Sequence, residues 1–131
     1  MSGNADLALG VGVERGTSVG EVAQLAAATL AAGGFDPQAV ACVVSLDLRS
    51  DEAAILELAR SLGVPARFFD AATLAKEEPR VSEVSEHVRK AVGTPSVAEA
   101  AALAAAGPGG TLVVTKRKSA HATCAIARKR G

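Results

Sequence analysis

Leu9–Leu25 reads LGVGVERGTSVGEVAQL. An apolar run containing Gly10 and Gly12 passes Glu14, Arg15 and Gly16 and then enters a helix at Thr17 and Ser18. Two residues upstream the run begins as LALGVGV, Leu7–Val13, and its unbroken apolar character suits a central strand covered on both faces. Ser18 and Glu21 form an S-x-x-E capping box. Val19, Val22, Ala23, Ala26 and Leu30 recur at helical spacing, and Gly33-Gly34 supplies the stop. A glycine-rich passage from strand to helix lets bare backbone approach a ligand, and ligands at helix starts are usually anions. The stretch therefore raises the question of which anion it meets; a tight turn that meets none is the plainer alternative.

Working outward, Asp36-Pro37 opens a short helical turn and VACVVSLDL is a second strand. Ser50, Asp51 and Glu52 are expected to open a second helix with acids in its first turn. Ile55, Leu58, Ala59 and Leu62 form its buried stripe and Gly63 its end. VPARFF is a third strand. From Asp70 the pattern is helical but broken at Pro79, and a further helix over Ser82 to Val92 closes at Gly93. In GTPSVAEAAALAAAGPGG, Thr94 or Ser96 caps a helix with Pro95 early in it, Glu99 in its first turn and Gly107 past its end. TLVVTKRK and ATCAIAR are strands, and the short polar link around Ser119 and His121 predicts that they pair antiparallel. The order β-α-β-α-β-α-α-β-β predicts an α/β fold in one domain over residues 1–131. Its sheet is mostly parallel, with helices on both faces and an antiparallel C-terminal strand.

Composition narrows the chemistry. Twenty-nine alanines against three phenylalanines, with no tyrosine or tryptophan, demand helices packed backbone near backbone. The start MSGNADLALG lacks a basic n-region and a long apolar core, and no run approaches the eighteen apolar residues of a bilayer span, so a cytoplasmic protein without membrane contact is expected. Cys42 and Cys124 lie in apolar runs outside any CxxC pair and are expected to be buried, reduced thiols. The net charge of zero hides a division: residues 1–99 hold all fourteen acids and eight bases, whereas residues 100–131 hold six bases and no acid. That basic segment suits an anionic partner or simple solvation. Nucleic acid is disfavoured, because no aromatic ring for base stacking lies near the run.

In a sheet of this kind ligands gather at the carboxyl ends of the strands, which here collects Gly12–Ser18, Asp47–Glu52, Gly93–Glu99 and Lys116. No lysine precedes Thr17 or Ser18 as a Walker loop requires, and Gly10, Gly12 and Gly16 carry the third glycine one place late for a dinucleotide fingerprint. A nucleotide-binding oxidoreductase or transferase using this turn remains the alternative function. His121-x-x-Cys124 has no second pair at zinc spacing, and there is no GxSxG elbow, so no metal, no resident cofactor and no nucleophile are expected.

GVGVERGTS, SLDLRSDE, GTPSVAEAAAL and TKRKSAHATCAIAR, in this order and spacing from about Leu7 to Arg128, resemble the C-terminal domain of CbiG. CbiG is the cobalt-precorrin-5A hydrolase of anaerobic cobalamin (vitamin B12) synthesis, and CobE of the aerobic pathway is a free-standing version of that domain. The resemblance implies a three-layer α/β/α sandwich, a role in cobalamin synthesis around ring contraction, and a precorrin or corrinoid ligand. Other cobalamin-pathway enzymes are the partners it leaves open. CbiG opens a lactone on a ring-contracted macrocycle; whether the domain alone catalyses or only carries is not settled by the resemblance. It carries over onto Gly12, Arg15, Gly16, Thr17 and Ser18; onto Asp47, Asp51 and Glu52; onto Gly93, Pro95, Ser96, Val97 and Glu99; and onto Lys116, Lys118 and Thr123. Arg49 departs from the lysine common in the family. Precorrins are rimmed by carboxylates, so the expected ligand-binding residues are Gly12, Arg15, Gly16, Thr17, Ser18, Arg49, Lys116 and Lys118. Asp47 and Glu99 are the acid/base candidates, with capping alongside Ser96 as the alternative role of Glu99.

Overall fold

A computed structural model of the chain describes residues 5–81 and 97–130. Five strands form one sheet: β1 (Leu7–Val13), β2 (Val40–Leu46), β3 (Ala66–Phe69), β4 (Thr111–Lys118) and β5 (Ala122–Arg128), in the order β3-β2-β1-β5-β4. β1, β2 and β3 pair in parallel, and β5 runs antiparallel to both its neighbours, so β4 again points the way β1 does. The antiparallel final strand expected from the sequence is present, and it sits inside the sheet beside β1 rather than at an edge.

Helices α1 (Val19–Gly33) and α2 (Ala53–Leu62) cover one face; α3 (Ala71–Ala75) and α4 (Val97–Ala106) cover the other, which makes the three layers. The LALGVGV repeat explains how. Leu7, Leu9 and Val11 face α1 and α2 beside Cys124 and Ile126 of β5, whereas Ala8 and Gly10 leave the opposite face shallow for α4. A Cβ on Gly10 would overlap the carbonyl oxygen of Ala98. The alanine-rich α4, with Ala98, Ala100, Ala101 and Ala102 fully covered, thus lies directly on the backbone of β1.

Ser18 caps α1 by accepting from the Glu21 N–H at 3.1 Å, and Gly34 ends the helix in the left-handed region. The buried stripe of α1 is Val22, Leu25, Ala26, Thr29 and Leu30; Val19 and Ala23, expected within it, are exposed, because the 3.6-residue period starting at Val22 returns to Leu25 and Thr29. α2 begins at Ala53, later than expected. Asp47–Arg49 form a 3-10 turn, and Asp51 and Glu52 stand before the helix, because both side chains are drawn to Arg15 across the strand ends. The helix expected over residues 82–92, its end at Gly93, the expected cap at Thr94 or Ser96 and the early helical Pro95 lie outside the described residues. Both cysteines are free and buried, and burial pushes the Cys124 thiol up to about 12. No helix among the described residues is long and apolar enough to cross a membrane.

Candidate functional site

The anion met by the glycine turn is part of the protein itself. Gly16 takes φ +79°, a left-handed conformation in which a side chain is strained, and its N–H donates to Oε1 of Glu52 at 3.2 Å. The other oxygen of that buried carboxylate accepts from Nη1 of Arg15 at 3.2 Å, and the same Nη1 lies 2.7 Å from Oδ1 of Asp51. Arg15 also donates through Nη2 to the Leu48 carbonyl at 2.7 Å. This pairing holds the Asp51 carboxyl below the usual carboxylate range and the Arg15 guanidinium above its ordinary value. Arg49 serves the same junction by donating Nε–H to the Val13 carbonyl at 3.0 Å. Thr17 is covered, and its hydroxyl donates to the Glu14 carbonyl at 2.6 Å with the His121 carbonyl 3.2 Å away. The first turn is therefore a closed hydrogen-bonded knot, which leaves a phosphate little to bind at Gly16.

The open chemistry lies one strand over. Because Val13 pairs with Ala122 and Gly12 with Thr123, the β4–β5 hairpin stands at the carboxyl end of β1, and the parallel direction of β4 brings Lys116 and Lys118 to the same edge. A cleft of about 330 Å³ opens there between Gly12 and Val13, Val97 at the start of α4, Lys116, Lys118 and the hairpin residues Ser119–Thr123. A second hollow of about 350 Å³ runs over Arg15, Gly16, Thr17, Ser18 and Glu21, and the two share Glu14 and His121. Gly12 keeps the first cleft open, since a Cβ there would stand 2.8 Å from Oγ1 of Thr123 and 3.4 Å from Cβ of Val97.

Glu21 fastens the hairpin to α1. Its carboxylate accepts from the His121 N–H at 2.6 Å and from the Ser119 hydroxyl, and its other oxygen lies 3.0 Å from Nδ1 of His121. These hydrogen bonds hold the Glu21 carboxyl down at about 2, while Glu21, with a smaller contribution from Glu14, raises the His121 imidazole above 6.5. The second half of the capping box is thus absent: Glu21 spends its side chain on the hairpin rather than on Ser18.

The structure brings Gly12, Lys116 and Lys118 to the first cleft and Arg15, Gly16, Thr17 and Ser18 to the second. Arg49 and Asp47 line neither. Asp47 is exposed at the start of its 3-10 turn; Glu99 is fully covered within α4, and its carboxylate accepts the Lys116 backbone N–H at 2.8 Å, which ties α4 to β4 under the first cleft. In the sequence His121 stands out only as part of a polar link and as half of a missing zinc pair, and Glu21 only as a cap. The signal for both was their place, a histidine in the one short loop between two paired strands and an acid one turn into the helix behind it. No cluster of three or more metal-ligating side chains occurs among the described residues.

The family described as cobalamin synthesis G C-terminus matches residues 7–127. Protein CobE of Sinorhizobium sp is 48% identical over 123 residues, covering 94% of this chain and 80% of that protein. The cobalt-precorrin-5A hydrolase of Priestia megaterium is 31% identical over 121 residues, and the match spans 92% of this chain but 32% of the hydrolase. The crystal structure of CobE, a protein from the cobalamin biosynthetic pathway, superimposes with a TM-score of 0.87 at 34% identity, covering 95% of this chain and 90% of that one.

Proposed function

The chain belongs to the cobalamin synthesis G C-terminus family, and from that membership we propose that it binds a precorrin or corrinoid intermediate, around the ring-contraction stage, across the paired clefts at the carboxyl end of β1. The observation that carries the reading is the convergence of Gly12, Lys116, Lys118 and the 119–121 hairpin on one open cleft joined to a second at His121. Such a ligand is a broad, partly apolar plate with a carboxylate rim. Val13, Val97 and Ala122 offer the plate an apolar floor, and the two lysines offer its rim positive charge. Each exposed charge pair contributes only about 0.2 to 1 kcal/mol, so several must act together to orient the ring. Arg15, Gly16 and Thr17 serve this site by shaping it, since their polar groups are already engaged by Glu52, Asp51 and main-chain carbonyls. The proposal is one of binding and presentation in the cytoplasm, and it assigns no turnover to Asp47 or Glu99.

Titration of the purified protein with hydrogenobyrinic acid, and separately with NADP, tests the reading by corrin absorption and thermal melting. A corrin spectral shift with a raised melting temperature, weakened by salt and by Lys116→Ala or Lys118→Ala, is expected. Stabilisation by NADP alone would refute it in favour of a nucleotide site.

A further inference from the structure

Within the cleft one group stands out as able to change its charge near neutral pH. His121 sits where the two clefts meet, its side chain 56% exposed, with Nδ1 held 3.0 Å from Oε1 of Glu21. That contact fixes the tautomer. A neutral ring donates Nδ1–H to Glu21 and leaves the lone pair of Nε2 outward, which repels a carboxylate; a protonated ring presents Nε2–H, a donor. No described residue engages Nε2. The charged groups around the ring are Glu21 of α1, Glu14 and Arg15 of the β1–α1 turn, and Lys116 and Lys118 of β4, with Glu99 of α4 beneath Lys116. Arg15 is committed to Asp51 and Glu52, and the proton on His121 changes the charge of the junction by one unit.

Building on the proposed corrinoid reading, we infer that His121 is the carboxylate-selecting residue of the cleft: protonated, it donates from Nε2 to a rim carboxylate of the ligand; deprotonated, it opposes that carboxylate. Glu21 acts through it as a positioning residue. The ring's raised proton affinity, caused first by its hydrogen bond to Glu21, keeps the donor form available above the ordinary histidine range. Imidazole is the side chain whose ordinary charge change falls between about pH 5 and 8, and the contact with Glu21 moves that of His121 upward.

The test is the dissociation constant of hydrogenobyrinic acid from pH 6 to 9 for the wild type, His121→Gln and Glu21→Gln, with melting curves to show that each is folded. The wild type should lose affinity by about fivefold across the range, as one partly exposed charge pair provides. His121→Gln should be flat at the weaker value, and Glu21→Gln should move the loss to lower pH. As an independent readout, the imidazole resonances of the wild type should titrate at higher pH with the corrinoid bound than without. A His121→Gln profile matching the wild type, or an imidazole titration unmoved by ligand, overturns the inference and leaves the cleft reading intact. Absence of corrinoid binding by every protein at every pH overturns both.

Discussion

Replacing Gly10 by alanine tests the packing on which the site depends. The added Cβ would overlap the Ala98 carbonyl oxygen and approach the Ala98 carbonyl carbon and the Ala102 nitrogen to 2.9 Å. These are backbone atoms of a helix whose inner face is wholly covered, so no side-chain rotation relieves the overlap, and α4 must retreat by about 1.5 Å to restore ordinary contact. Overpacking of this kind costs about 1 to 3 kcal/mol, offset by roughly 0.4 to 1 kcal/mol from the stiffer unfolded chain. Because the overlapped atoms are backbone, the cost falls at the upper end of that range, and a net loss of about 2 kcal/mol lowers Tm by about 7 °C for a chain of this size. Two further variants calibrate the number. Gly16→Ala meets no atom within 4 Å but keeps φ at +79°, so it should lose about 1 to 2 kcal/mol from backbone strain alone. Gly20→Ala in α1 meets nothing and has no positive φ, so it should gain up to about 1 kcal/mol. Thermal and urea denaturation by circular dichroism should rank them Gly20→Ala, wild type, Gly16→Ala, Gly10→Ala. A Gly10→Ala protein melting at or above the wild type would refute the close approach of α4 to β1.

Arg80 spends all five of its N–H donors, from Nε to Glu77 at 2.8 Å and from the two Nη to the carbonyls of Leu103, Gly107, Pro108 and Gly110, so it caps the end of α4. Arg80→Ala should cost about 2 to 4 kcal/mol in urea unfolding, and Arg80→Lys should recover less than half of it. Glu52→Ala empties the carboxylate from the Gly16 turn, so sulfate should raise its Tm more than that of the wild type, and equal shifts would show that the turn binds no anion. The Glu21–His121 pair stabilises with a defined pH window. The His121 contribution, from a raised folded pKa, is complete below about 6.5 and fades as pH rises through that folded value; the Glu21 contribution, from a lowered one, is complete above 4.5 and is lost as pH falls through about 2. The urea midpoints of wild type and His121→Gln should therefore differ most between pH 4.5 and 6.5 and converge toward pH 9.

Much of this molecule was legible in its residues. Leu7–Val13 is the strand that its apolar run announced, and Ser18, Gly34 and Gly63 begin or end helices where their chemistry places them. What stayed hidden was the partner of each charge. Asp51 and Glu52 look like first-turn acids of α2 because that is where a helix dipole favours them. Their pull toward Arg15, 36 and 37 residues earlier, depends on the two strand ends lying side by side, which no local pattern records. The alternation of large and small residues in LALGVGV was visible, but an apolar run states only that both faces are covered. That one face takes a helix at backbone distance follows from pairing it with the alanines of α4.

The position of β5 is what turns these local facts into a site. Were β4 the neighbour of β1 instead, Lys118 rather than Ala122 and Thr123 would stand beside the β1–α1 turn. Inserted between β1 and β4 and running against both, β5 starts where β1 stops, so the polar hairpin and the carboxyl ends of β1 and β4 share one rim. A parallel sheet opens a crevice where successive connections leave to opposite sides, and here that point falls between β1 and β5. Glu21 then has a structural reason to leave its own helix start: it is the side chain of α1 that reaches the hairpin across that crevice, and it holds the loop by three contacts. The self-satisfied turn at Gly16 and the hairpin pinned by Glu21 are two walls of one crevice. The arginine nearest the helix start is already engaged by Asp51 and Glu52, and the other lysine or arginine side chains lining the crevice among the described residues are Lys116 and Lys118 of β4.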